Sequence, residues 1–226
     1  MIDVILPELP ERELALMSEE KPQPSGPRLA GRVILGGPVA LPVTTELVGP
    51  DPELLDFLRT EADNAVYHLV HLSVTCARDA PDPALHSVNL DVTLTAEPVR
   101  RGTAVFQPVA WSMTPRQLTA DAKATTRAHA AHLGPRLGFH DGARTAYGER
   151  ICLEARRELR SDPGWEIRHT SAVRIGGTYR LAMVVRAPRG AVSRAAVAVG
   201  ATVREGHTLH RFREELDEPL RLAALQ

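Results

Sequence analysis

Period-two alternation constrains this sequence more than any other feature. Between Ser87 and Thr95, Val88, Leu90, Val92 and Leu94 alternate with Ser87, Asn89, Asp91, Thr93 and Thr95. Successive strand side chains point to opposite faces, so this segment reads as a half-buried strand. Val66, Val70, Leu72, Val74 and Cys76 share one face of a second strand over 66–76. In a third, Thr103 to Met113, the apolar face is Val105, Val109, Trp111 and Met113, and Pro108 assigns it to a sheet edge because proline cannot donate to a ladder. A later strand runs from Ala195 to Arg204, with Val197, Val199 and Val203 inward and Ala196, Ala198 and Gly200 on its other side.

Helical signals are fewer. Asp51-Pro52 supplies an N-cap followed by proline at the first helical position, and Leu54, Leu55, Leu58 and Ala62 continue as an apolar stripe. Leu118–Ala131 and Tyr147–Arg160 fit both periods. The first stays open, and the second leans to helix through Ile151, Ala155 and Leu159. Leu209, Phe212 and Leu216 outline a C-terminal helix interrupted by Pro219, and Gly31–Leu35 reads as a strand stopped by Gly36-Gly37-Pro38. The expected fold class is therefore α+β, a predominantly antiparallel sheet with short helices near 52–65, 150–160 and the C-terminus. Residues 1–28 read as an acidic arm with a Pro-rich connector at 20–28, and 29–226 as one domain.

The segment Trp165–Ala187 reads as two strands around Gly176-Gly177. A two-residue turn would mix apolar and charged residues on each face, whereas an odd loop such as Gly176-Gly177-Thr178 pairs Ile175 with Tyr179 and Val173 with Leu181. One face then holds Trp165, Ile167, Val173, Ile175, Tyr179, Leu181, Met183 and Val185. The other sets Arg174 opposite Arg180 and Arg168 opposite Arg186. Opposed like charges destabilise a sheet. Solvent, an acidic side chain from the N-terminal block, the Asp51–Asp63 helix or the acidic tail, or an external anion could each compensate. The last makes Arg168, Arg174, Arg180 and Arg186 candidate binding residues.

Charge is unevenly laid out. Residues 1–66 carry net −7, 67–98 net −3, 99–213 net +12 and 214–226 net −3, which sums to the formal −1. The basic middle can meet the acidic ends or an external acidic partner. The cations are 25 Arg and two Lys, a bias that makes the arginine count alone no sign of nucleic acid, and Trp165 and Tyr179 fall on the buried face rather than on a stacking platform.

Chemical motifs are mostly absent. No phosphate-binding glycine loop, nucleophile elbow or HExxH occurs, and no cofactor is implied. Three HxxH pairs exist, His68/His71, His129/His132 and His207/His210. The first splits across a strand. His129 and His132, with His140 or Asp141, would fit a metal only if that stretch were helical, giving a metal-dependent hydrolase as an alternative. Cys76 and Cys152 read as buried thiols of a reducing compartment, and Cys152 as a nucleophile has only nearby arginines behind it. No run approaches a membrane-spanning helix, and Met1–Pro7 lacks a basic leader segment. A cytoplasmic, non-catalytic binding protein with an arginine-rich face for an acidic protein surface or anionic ligand is the leading expectation. A membrane-surface or pore-forming protein, acting on anionic lipid and inserting the small/polar stretch 118–131, is a further alternative.

Overall fold

The computed structural model describes residues 2–19, 29–77, 83–101, 103–119, 130–140 and 151–222. It is mainly antiparallel β, with 58% strand and 9% helix. In chain order the strands are β1 (Ile2–Ile5), β2 (Glu11–Glu13), β3 (Met17–Ser18), β4 (Val33–Pro42), β5 (Ala65–Cys76), β6 (Leu85–Pro98), β7 (Val109–Thr114) and β8 (Gln117–Thr119). They continue as β9 (Ala130–Leu133), β10 (Ile151–Arg156), β11 (Gly164–Arg168), β12 (Gly177–Pro188), β13 (Ala191–Glu205), β14 (Thr208–Glu215) and β15 (Leu220–Leu222). Two helices, α1 (Thr45–Val48) and α2 (Pro52–Glu61), lie between β4 and β5.

The strands form an eight-stranded sheet in the order β3-β14-β13-β6-β11-β10-β8, with β15 also on β13. A five-stranded sheet in the order β2-β4-β5-β12-β7 and a two-stranded ribbon of β1 and β9 complete the fold. The two large sheets pack face to face. Leu90, Val92, Trp165, Ile167, Val197 and Val199 from one meet Leu72, Val74, Tyr179, Leu181, Met183 and Val185 from the other in the larger core. The opposite face of the five-stranded sheet is buried too: Tyr67, Leu69, Ala182 and Val184 pack on Leu54, Val4, Leu133 and Leu137. Strand β5 is consequently buried along almost its whole length, as a strand covered on both faces must be.

Local signals reproduce well. Asp51 caps α2 by accepting from the Leu54 amide at 3.1 Å, with Pro52 in the first turn. Strands 66–76, 87–95 and 195–204 all form. Of the strand expected over Thr103–Met113 only Val109 onward forms, as β7 at a sheet edge. Its expected single apolar face divides, Met113 entering the larger core and Trp111 packing on the smaller. The proposed stop at Gly36-Gly37-Pro38 does not occur. β4 runs through it on a bulge, where Gly37 takes φ +80° and a Cβ on Gly36 would sit 2.2 Å from Ser73 Oγ. Residues 2–19, read as a loose arm, give one strand to each of the three sheets and bury Val4, Leu14 and Leu16. The helices expected at 150–160 and at the C-terminus are strands β10 and β14, whose apolar residues complete the shared core.

The hairpin around Gly176-Gly177 is also corrected. β11 lies between β6 and β10 in the eight-stranded sheet, whereas β12 lies between β5 and β7 in the other. Residues 169–176 cross from one sheet to the other. The apolar sides of both strands do face a common core, but across the sandwich instead of side by side.

Candidate functional site: the charged outer face of the large sheet

Alternation on β6, β10 and β11 turns Asn89, Asp91, Glu154, Arg156, Glu166 and Arg168 away from the core. Gly200 lies opposite both Asn89 and Arg213, and Ala198 opposite Asp91, so β13 adds only short side chains between β6 and β14. A trough of about 610 Å³ opens here, lined by Asn89, Asp91, Glu154, Ala155, Arg156, Arg157 and Trp165. Gly164 lets β11 approach β6 closely, since a Cβ there would come within 2.6 Å of the Leu90 carbonyl oxygen.

Ion pairs span the rim. Asp91 accepts from Arg157 at 2.8 Å and lies 3.6 Å from Arg213, and Arg157 also reaches Asp162 at 3.2 Å. Glu166 holds both Arg156 and Arg168, and Arg168 lies 3.8 Å from Glu154. The Glu166 hydrogen bond pushes the Arg168 pKa above its ordinary value, against the opposing effect of burial. These carboxylates take only some of the five donors on each guanidinium. The arginine side chains remain 45–46% exposed, so further donors face water. With four carboxylates around four guanidiniums, the trough suits polar recognition. Among the described residues it brings no nucleophile together with a base.

The four arginines singled out in the sequence do not form one surface. Arg168 is on this outer face. Arg180 and Arg186 are on the opposite side of the molecule, on the β12 face that packs toward α2 and the ribbon, and Arg174 is exposed in the crossing segment. Arg186 donates to Glu61 at 2.9 and 3.1 Å and stacks over Phe106 at 4.6 Å from the ring centre. The acidic partner for Arg186 is thus the helix from the N-terminal block. Burial opposes charge on Arg186, yet its bonds to Glu61 and Tyr67 outweigh that and raise its pKa; burial also pushes Tyr67 up to about 12. Arg186 and Glu61 are only 24% and 25% exposed. Replacing Arg186 by Met should therefore cost about 2 kcal/mol by leaving a partly buried carboxylate short of donors. Urea unfolding of Arg186→Met, Glu61→Gln and the pair measures the coupling, and additive single effects would show that the contact contributes nothing.

Arg156, Arg157 and Arg213 were missed because their strands read as helices. The signal was there in Leu153-Glu154-Ala155-Arg156 and in Arg211-Phe212-Arg213, both alternating with period two. Of the metal candidates, His129 and Asp141 lie outside the described residues, and the helix that would have joined His129 to His132 is replaced at its end by β9. His132 and His140 are cross-strand backbone neighbours, and His132 pairs with Asp3. Among the described residues no group of three metal-ligating side chains converges. His68 and His71 are both buried in β5. Cys76 and Cys152 are unbridged and buried. Most of the small/polar stretch 118–131 lies outside the described residues, and no described helix is long and apolar enough to cross a membrane.

No known family matches this chain, and no curated protein matches it. A solved structure described as a pore forming protein is 7% identical over 84% of this chain and 83% of its own, with a TM-score of 0.29. A likeness at that level carries no argument about function.

Proposed function

We propose that this protein is a non-catalytic binding protein of the cytoplasm. Its contact surface is the outer face of the eight-stranded sheet, and it takes an acidic protein surface or an anionic ligand. One observation carries the reading: Arg156, Arg157, Arg168 and Arg213 are held in place by Asp91, Glu154 and Glu166 while close to half of each side chain stays open to solvent. A guanidinium already oriented by a carboxylate loses less conformational freedom when it meets a ligand, which favours fork-like contacts to carboxylate or phosphate. Two unbridged cysteines support a reducing compartment.

Fluorescence anisotropy with a labelled polyglutamate peptide tests the reading, with inorganic pyrophosphate as competitor. Binding should weaken steeply from low to physiological salt. The Arg157→Gln/Arg168→Gln pair should lose about tenfold or more in affinity, as expected for charge-assisted contacts. Arg186→Met, on the far side of the sandwich, should bind as the parent does. Equal binding by the double variant and the parent would remove the proposed surface.

A further inference from the structure

The N-terminal ribbon carries an arrangement that the trough does not use. Register places Asp3 of β1 opposite His132 of β9. Past β9 the chain turns tightly at Gly134–Gly138 and returns, with Leu133 bridged to Phe139. The Gly134 amide donates to the Gly138 carbonyl at 2.8 Å, and the His140 amide to the His132 carbonyl at 2.9 Å. This pattern makes His132 and His140 directly opposed cross-strand neighbours. Asp3, His132 and His140 therefore form one row across three adjacent chain segments, on one face of the ribbon. Opposed residues on antiparallel strands have Cβ atoms about 5 Å apart, a span that two imidazoles can close on a shared ion.

The other face anchors that row. Leu133 is fully buried and Phe139 nearly so, both in the smaller core, and the Phe139 amide donates to Ser112 Oγ at 3.0 Å. Trp111 Nε1 donates to the Arg136 carbonyl at 2.7 Å and holds the turn as well. The histidines thus project from a backbone fixed by packing. His132 Nδ1 lies 2.5 Å from Asp3 Oδ1, and both side chains are at least half exposed. With Nδ1 engaged by the carboxylate, Nε2 is the nitrogen left for another partner. A carboxylate behind an imidazole is the arrangement that orients a metal-bound histidine and raises its basicity.

We propose that His132 and His140 are the two protein ligands of a surface site for a divalent transition metal of the imidazole-preferring kind, zinc or copper, with Asp3 as a positioning residue. Two neutral imidazoles select these ions over magnesium or calcium, which want oxygen. With two protein ligands, water would complete the coordination shell. The site also spans β1 and β9, so a bound ion would fasten the N-terminal strand through Asp3.

Isothermal titration of the full chain with zinc chloride, and copper(II) electron paramagnetic resonance, test this. One zinc equivalent should bind near neutral pH. His132→Gln and His140→Gln should each lower affinity at least about tenfold, and the copper spectrum should change from two coupled imidazole nitrogens to one. Asp3→Asn should weaken zinc about tenfold while keeping both nitrogen couplings, the behaviour of an orienting group. Stoichiometric binding that survives the His132→Gln/His140→Gln pair would overturn the site, as would no binding by the parent chain. Unchanged affinity in Asp3→Asn would overturn the positioning role.

Discussion

Trp165→Ala should lower the unfolding free energy by about 3–5 kcal/mol, enough to consume much of the 5–15 kcal/mol typical of a folded domain. Trp165 is 1% exposed and fills the centre of the larger core, where β11 sits between β6 and β10. Removing the indole takes away packing against both sheets and leaves a cavity that the flanking strands cannot collapse into. It also strips the Pro115 carbonyl of the Nε1 donor that reaches it at 3.1 Å. Aromatic residues are scarce here, 4% of the chain, so few other side chains of that volume can move in. Three residues away on the same strand, Arg168→Gln should cost less than about 1 kcal/mol, as a half-exposed ion pair does. Chemical denaturation of the two variants beside the parent makes the comparison, and equal midpoint shifts would mean that the inner and outer faces of β11 have been exchanged.

That contrast bears on what alternation encodes. Sequence parity correctly named the buried side of β11 and of β12, because Trp165, Ile167, Tyr179, Leu181, Met183 and Val185 all enter the larger core. Parity says which side of a strand is wet; it does not say whether two buried sides lie next to each other or face each other. A hairpin and a crossing between sheets satisfy the same pattern, so Arg168 and Arg186 were placed together when they lie on opposite outer faces. Elements specified within their own few residues were legible: Asp51 and Pro52 at the start of α2, the edge position that Pro108 marks although the strand starts only after it, the even alternation of β6. β10 and β14 were not, since Ile151, Ala155 and Leu159 fit a helical stripe until tertiary pairing with β11, β8 and β13 decides the matter. The trough inherits that failure, as three of its four arginines sit on or just beyond those strands. β1 to β3 were hidden for another reason. Each is two to four residues long and exists only because a partner more than twenty residues away offers an edge.

Acid should destabilise this protein over a window set by two buried histidines. His68 and His71 lie three residues apart on β5 and so point to opposite faces of the five-stranded sheet, and each is 2% exposed. Burial pushes the His68 pKa down to about 4. Burial likewise pushes His71 to about 4, with the Pro7 carbonyl acting against the shift and the Arg180 charge reinforcing it. Neither ring nitrogen of His71 makes a hydrogen bond of good geometry. A folded value below the unfolded 6.5 means that the unfolded chain binds the protons more readily. Both contributions are therefore complete above about pH 6.5, decline as pH falls, and are gone below about pH 4. Within the window each histidine should remove about 1.4 kcal/mol per pH unit, on the order of 3 kcal/mol apiece at its end. Together they rival the whole stability of an ordinary domain. Urea midpoints at pH 7, 6, 5 and 4.5 should fall accordingly, and His71→Met should roughly halve the slope of stability against pH whatever it does to the value at pH 7. Stability that stays flat from pH 6.5 to 4.5 would show that these imidazoles can take up protons in the folded state without cost.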